Sequence, residues 1–300
     1  MAGSIRRRSV AKDTHITDTR RSKKHKTLHY TELAPWQKDN EYIVHGYRQV
    51  QNHWRGCLTS VYAYLHNETV NIHSHLWGAA LFIYFLANFN SVHRSGTTWV
   101  DSAVFTVFLL SAVFCLSASS FYHTMSCHSE KVSSTCHAFD YSGIVVLIVG
   151  SFYPFLHYGF HCQAHLQLFY ILTITLAGLG ALYIVLNPEY AKATHRGART
   201  AVFIGLGLCA IVPVSHLLVL HGSRHLIAEM GVGWLLISGA LYIIGALLYA
   251  NRIPERLAPG RFDFFFASHQ IFHFFIVFAA LAHYHGALKA LDYRLSRPFC

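Results

Sequence analysis

Apolar and polar positions in this chain alternate on the scale of whole helices. Seven runs dominated by apolar residues lie at about 72–90, 102–124, 139–159, 165–186, 200–220, 230–250 and 267–287. Each approaches the roughly 20 residues that an α-helix needs to cross a bilayer. Turn formers and charges interrupt them at His93 to Gly96, Ser126 to Ser134, Asn187 to Glu189, His221 to Arg224 and Asn251 to Arg261. Pro154 and Pro213 fall inside runs, which a bundle in lipid tolerates better than a helix in water. Gly178, Gly180, Gly205 and Gly207 are read as close helix packing rather than a cofactor loop. The pattern predicts an all-α integral membrane protein. Its seven-transmembrane helix bundle occupies 71–288, and a short C-terminal tail follows at 289–300.

Upstream of residue 71 the pattern changes twice. Residues 1–32 carry Arg6-Arg7-Arg8, Arg20-Arg21 and Lys23-Lys24 with few apolar residues, so they bury too little surface to offset the entropy of ordering. They are expected to form a disordered basic cytosolic tail, and no apolar stretch follows the basic start to make a cleavable signal peptide. Residues 33–70 are mixed and aromatic, and Leu58, Val61, Tyr62 and Leu65 recur at helical spacing. This predicts a cytosolic membrane-surface segment with an amphipathic helix.

Composition agrees with this division: 53% of residues are hydrophobic and 13% charged, and the mean hydropathy is +0.32. The net charge of +10 is concentrated, since half of the 24 Lys and Arg residues lie in the first 55. Beside a membrane such a tail meets anionic headgroups rather than nucleic acid. With the N-terminus in the cytosol, nineteen of these 24 cations fall inside and five outside. The positive-inside rule then gives a cytosolic N-terminus and an extracytosolic C-terminus. The membrane is expected to be the plasma membrane or the endoplasmic reticulum and its endomembrane relatives. The seven Cys show no CxxC pair, and Cys115 and Cys209 sit inside apolar runs, so no disulfide framework is expected.

The last apolar run opens with Ser268-His-Gln-Ile-Phe-His273. On a helix, His269 and His273 project from one face a turn apart, the spacing at which a helix offers two nitrogens to one metal. Among 23 histidines such a pair also arises by chance, so the bundle must bring further ligands to the same depth. Counting helices, the second run ends at Ser119 to His123 on the face where the third begins at Phe139-Asp140 and the seventh at Ser268. His123, Asp140, His269 and His273 are therefore predicted within a turn or two of one another in depth. Three imidazoles with an open fourth position are the arrangement of a catalytic zinc, and a nearby carboxylate can orient or deprotonate water. Asp140 is also readable as a helix N-cap, a reading compatible with the first. Ser119, one turn before His123, either meets water or substrate or bonds its own backbone.

Other candidates are less convergent. Cys127-His128 and Cys136-His137 are placed in a loop at irregular spacing. His73 and His75 point to different faces. His157, His161 and His165 belong to the opposite membrane face, and His283 and His285 lie more than two turns beyond His273. Asp140 is the only carboxylate placed inside a run, with Asp101 and Asp263 just outside.

Five ordered motifs resemble the progestin and adipoQ receptor family, which includes the adiponectin receptors, the fungal zinc-homeostasis proteins and the haemolysin III-like proteins. They are Lys38-Asp-Asn-Glu-Tyr-Ile-Val-His-Gly-Tyr-Arg48; His66-Asn-Glu-Thr-Val-Asn-Ile-His-Ser-His75; Ser119-Ser-Phe-Tyr-His123 with Cys127-His-Ser-Glu-Lys131; Phe139-Asp-Tyr-Ser-Gly143 with Gly150-Ser-Phe152; and Ser268-His-Gln-Ile-Phe-His273. The resemblance runs from about Trp36 to Gly286 and is closest in character to the fungal members. It implies seven helices with a cytosolic N-terminus and a Zn2+ held by His123, His269 and His273. It further implies that Asp140 reaches the metal through water, with Ser119 behind it. Adiponectin receptors are associated with ceramide hydrolysis, and fungal members with zinc and sterol or lipid metabolism. His73 stands where many members have Trp, no Pro follows Arg48, and the tail after the last helix is too short for an extracellular hormone-binding domain.

The expected function is a zinc-binding, receptor-like membrane protein of lipid and zinc homeostasis, with zinc-dependent hydrolysis of a lipid amide such as ceramide. Asp140 and Ser119 would be its catalytic residues. Its partners would be membrane lipids, ceramide or a related sphingolipid or a sterol. The rival is a non-catalytic receptor or regulator with structural zinc. A channel or transporter would need polar residues repeated through the bilayer depth, whereas these cluster at one face. G-protein coupling is opposed by the inward N-terminus and by the lack of an acidic-Arg-Tyr triplet after the third helix.

Overall fold

Every apolar run becomes a helix in the computed structural model, which describes residues 27–91, 96–187, 189–190, 193–228 and 230–297. Most of the expected basic tail, and the last three residues of the C-terminal tail, lie outside the described residues. The chain opens with a two-stranded antiparallel ladder of β1 (Thr27–Leu28) and β2 (Tyr47–Arg48). The helices follow as α1 (Trp54–Ala63), α2 (Thr69–Ser91), α3 (Trp99–Met125), α4 (Glu130–Gly159), α5 (Ala164–Val185), α6 (Arg196–Leu208), α7 (Ile211–His221), α8 (Ser223–Ala228), α9 (Val232–Asn251) and α10 (Ser268–Ser296). Seven segments are long and apolar enough to cross a membrane, and α6 with α7 makes the fifth of them. That fifth helix breaks at Cys209-Ala210. Pro213 has no N–H for the Cys209 carbonyl and its ring crowds that carbonyl, so the ladder resets there.

Several boundaries differ from the sequence pattern. α3 starts at Trp99 because Thr98 and Asp101 close a reciprocal capping box. Asp101 is therefore inside a spanning helix and fully buried, which corrects its placement outside the run. α4 starts nine residues before its apolar run. Cys136 and His137 thus lie on a helix rather than in a loop, and Asp140 stands nearly three turns from the helix start, so it is not an N-cap. In α1, Cys57 and Ser60 face inward while Trp54, Leu58 and Tyr62 are exposed, as an interface-lying helix requires.

α3, α4 and α10 form the inner part of the bundle, and α5, α6, α7 and α9 leave most of their surface outward. Lipid tails are as apolar as the helices, so packing and polar links rather than the hydrophobic effect must hold helix to helix. The core around Phe82, Phe108, Leu109, Leu116 and Ile276 joins α2, α3 and α10. Glycines set the approach of α3 to α4. A Cβ at Gly143 would lie 2.8 Å from the Cys115 Cα, and one at Gly150 would lie 2.2 Å from the Ser111 Oγ. This contact fixes the separation of His123 and Asp140, which the two helices carry.

Gly143→Ala is expected to destabilise the protein by about 1–3 kcal/mol, since the obstructing atom is backbone that cannot rotate away. Gly180→Ala, where a Cβ meets nothing within 4 Å, should leave stability unchanged. Thermal unfolding of both variants in one detergent checks the pair.

Candidate metal centre

His123 comes from the last turn of α3, and His269 and His273 from the first turns of α10. One ligating atom from each lies within 4.8 Å of the others, the only such group of His, Cys, Asp or Glu among the described residues. The ring centroids are 4.8–5.0 Å apart. The rings are oriented from behind. His123 Nδ1 is 2.7 Å from Glu68 Oε2, so its Nε2 is left free, buried and without a partner. His273 Nδ1 donates to the Asn71 carbonyl at 3.1 Å, which holds that ring as the tautomer with a free Nε2. His269 packs edge-on against Tyr249 at 5.0 Å. Three imidazoles, one with an orphaned buried nitrogen, suit a borderline-soft divalent ion such as zinc, and the acceptors behind them are of the kind that orient metal ligands.

Glu68 was not singled out from the sequence. It precedes α2 by one residue and accepts from the Asn71 side-chain amide at 2.6 Å as well as meeting His123. Burial pushes its carboxyl up, but the adjacent imidazole outweighs that and holds it below the usual carboxylate range. A lone acid in a polar connection has no periodic signal; only the neighbouring Asn-Glu-Thr string of the resemblance pointed there.

Asp140 and Ser119 sit beside the cluster. Both line the same cavity as His269 and His273, and both are nearly fully buried. Asp140 is not among the atoms that converge within 4.8 Å. His75 and His73 point to different faces, as their spacing predicts: His75 faces inward, stacks on His273 at 3.7 Å and its Nε2 meets the His273 carbonyl at 3.2 Å. His73 turns back to the Thr69 carbonyl. His283 lies in the middle of α10, buried, with Nε2 2.7 Å from the Ser151 carbonyl.

The remaining candidates go elsewhere. His128 bonds Ser129, while His137 packs between Tyr122 and Tyr141. Cys127 meets Cys57, with their sulfurs 3.6 Å apart. His157 and Asp101 approach to 3.8 Å at the other end of the bundle, where Tyr158 and Arg294 also bond Asp101. Cys162, in the connection between α4 and α5, is disulfide-bonded.

The chain before α2 closes the cluster's end of the bundle. Arg48, almost completely buried, donates to Ser60 Oγ and the Thr124 carbonyl at 3.0 Å, to Ser126 Oγ at 2.9 Å and to the His123 carbonyl. It thus satisfies carbonyls that the end of α3 leaves open. Glu255, fully buried, accepts from Ser268 N and Oγ and so caps α10. Asp263 accepts from the backbone of Val44 and His45.

A cavity of about 390 Å3 is lined by His269, His273, Asp140 and Ser119. Beyond them it is walled by apolar side chains such as Ile148, Phe152, Phe203 and Leu217.

Seven apolar helices around a buried polar cluster at one end define a multi-pass, heptahelical integral membrane protein. The chain belongs to the haemolysin-III related family, whose model matches residues 63–284. It is similar to progestin and adipoQ receptor-like protein 1 of Caenorhabditis elegans, 38% identical over 90% of this chain and 62% of that protein. The adiponectin receptor protein of Drosophila melanogaster is 36% identical over 92% and 62%. The ADIPOR-like receptor IZH2 of Saccharomyces cerevisiae is 36% identical over 88% and 83%. The chain thus spans less than two thirds of the first two relatives and most of the third. It shares its family with these adiponectin receptor-like membrane proteins.

Arg48→Met is expected to lower stability by about 3 kcal/mol, because it strips charge-assisted hydrogen bonds from the buried end of α3. Arg55→Met, at an exposed position, should cost less than about 0.5 kcal/mol. Thermal unfolding in detergent compares the two.

Proposed function

We propose that this protein is a zinc-dependent hydrolase of lipid amides such as ceramide, acting in lipid and zinc homeostasis. The observation that carries the reading is the union of the histidine cluster with a long apolar cavity, which Asp140 and Ser119 also line. His123, His269 and His273 would hold the ion. A zinc bound there supplies a Lewis acid that polarises a carbonyl and lowers the pKa of water.

The chain's own groups supply the rest. The apolar walls hold the acyl chain so that its carbonyl stops at the polar end, and they keep bulk water away. Asp140 takes the proton as the oxygen of water bonds to the carbonyl carbon, and Ser119 holds that carboxylate in place. The C–N bond then breaks, the nitrogen leaves with the proton from Asp140, and the acyl half departs as a carboxylic acid. Glu68 and the Asn71 carbonyl keep two imidazoles in the tautomer needed.

The N-terminus is proposed to be cytosolic, which puts the histidine cluster at the cytosolic end. The cation bias supports this, and so does the disulfide-bonded Cys162 at the other end, since disulfides persist on the oxidising side. A tag at the N-terminus should be digested by protease added to sealed microsomes; a protected tag would reverse the orientation. A second reading, a receptor with structural zinc, is favoured by the relatives' names and by the cluster's tying of α3 to α10.

Purified wild type should carry about one zinc and release fatty acid from ceramide. His273→Ala should lose the metal, and Asp140→Asn should keep it while fatty-acid release falls at least about a hundredfold. If wild type holds zinc, releases nothing, and His273→Ala loses its cooperative unfolding, the structural reading replaces the catalytic one. Wild type without zinc overturns both. Glu68→Gln should weaken zinc affinity about 10–100-fold without emptying the site at saturating metal, read by competition with a chelator.

A further inference from the structure

His269 lines both the apolar cavity and a smaller one of about 160 Å3, whose walls include polar and charged residues such as Asp39 and Arg196. The acyl chain of an amide has only the larger to enter, and that cavity is not hydrocarbon throughout. Far from the histidine cluster it is also lined by Ser151 of α4, Ser238 of α9 and His283 of α10, each more than nine-tenths buried. From this second polar point we infer that the cavity selects an acyl chain with a hydroxyl group part-way along it, received by His283. The inference rests on the amide-hydrolase reading and specifies the acyl half of its substrate.

His283 is held by one ring nitrogen, which leaves the other over. Its Nε2 is 2.7 Å from the Ser151 carbonyl, and a carbonyl can only accept, so Nε2 carries the proton and Nδ1 is an acceptor. Phe108 and Phe155 pack on the ring at 5.1 and 4.8 Å between centroids. Nδ1 meets no donor among the described residues, and unlike the Tyr242 hydroxyl on the same walls it is not sealed from the space around it. The bond from Nε2 also serves α4, whose ladder lacks an N–H at Pro154. That structural role accounts for Nε2; it does not account for an acceptor on the wall of an apolar cavity.

What the acceptor lacks is a neutral donor. Asp140 is the only acid among the residues lining this cavity, and it stands about 16 Å along α4 from Ser151. An ammonium group beside His283 would therefore be buried without a counter-charge. A hydroxyl needs none. Ser238, one turn from the Trp234 that packs on His285 at 4.5 Å, brings a second polar side chain to a similar depth, whereas the Ser151 hydroxyl is spent on the Ile148 carbonyl.

Helix geometry sets where on the chain the hydroxyl belongs. His283 lies ten residues after His273 on α10, a depth of about 15 Å. An extended acyl chain, with C–C bonds of about 1.5 Å at tetrahedral angles, advances roughly 1.25 Å per carbon. A carbonyl held at the histidine cluster thus brings roughly the twelfth carbon beside His283.

The test uses full-length wild-type protein in detergent, with displacement of a fluorescent fatty acid as the readout. Ricinoleate and oleate share their length and double bond and differ by one hydroxyl, on carbon 12. A cavity that was apolar throughout would bind ricinoleate more weakly, because the hydroxyl loses its water. Ricinoleate is expected to bind about fivefold more tightly. His283→Phe should reverse that order while changing oleate affinity less than about twofold. Among saturated hydroxystearates, affinity should peak with the hydroxyl near carbon 12 and fall when it is moved toward either end. Ricinoleate binding no tighter than oleate, or a preference that survives His283→Phe, would overturn the inference. If His283→Phe does not fold, the positional series in wild type still decides, since affinities that ignore the hydroxyl's place would overturn it as well. Failure of the hydrolase reading shows differently: wild type would release no fatty acid from any amide, whatever the order of these affinities.

Discussion

One short hydrogen bond, Glu68 Oε2 to His123 Nδ1 at 2.7 Å, governs the geometry of the buried cluster. It joins the approach to α2 to the last turn of α3 and turns the free nitrogen of His123 toward α10. Asn71 extends the same arrangement. Its side chain holds Glu68, and its backbone carbonyl takes the Nδ1 proton of His273. Two residues at the start of α2 thereby orient ligands carried by two other helices. In a poorly solvated interior each unpaired member of such a network is costly; it leaves open the Asn71 Oδ1 and the His123 Nε2, and the latter belongs to the cluster.

The rest of the structure can be understood as what keeps that end of the bundle from opening. Helices in lipid gain little from burying apolar surface against one another, so polar anchors carry more of the burden. Arg48 holds the end of α3, Glu255 holds the start of α10, and Asp263 ties the segment around Val44 to the connection before α10. These anchors lie in connections, whereas the glycine contacts between α3 and α4 lie within spanning helices. The polar anchors set where the helix ends meet, and the glycines set how closely the helices run.

How much of this was legible follows from where the signals reside. Seven helices were readable because each spanning run must stay apolar for about 20 residues. His269 and His273 were readable because helical spacing alone puts them on one face, and His123 and Asp140 because helix counting returns them to the same end. Helix starts were misjudged wherever the helix outruns the apolar stretch. Asp101 turns back onto its own cap, and residues 130–138 of α4 are polar yet helical. The β1–β2 ladder is too short to leave a period. Glu68, Asn71 and Arg48 act through partners far away in sequence, and no local pattern says which buried carbonyl or imidazole a polar side chain will meet. The disulfide-bonded state of Cys162 was hidden for the same reason, since pairing depends on which chain segments meet at the far end.

The position of the cluster bears on the choice between catalysis and structure. A metal needed only to tie α3 to α10 gains nothing from standing between an apolar cavity and a polar one, and a well-packed apolar contact would do that work without burying imidazoles. Hydrolysis of an amide turns one amphipathic molecule into an apolar acid and a hydrophilic amine, which belong in different solvents. A reacting centre with hydrocarbon walls on one side and a cavity lined by polar and charged residues on the other would give each half a side matched to its own polarity. A receptor that only sensed a lipid would need the apolar side alone.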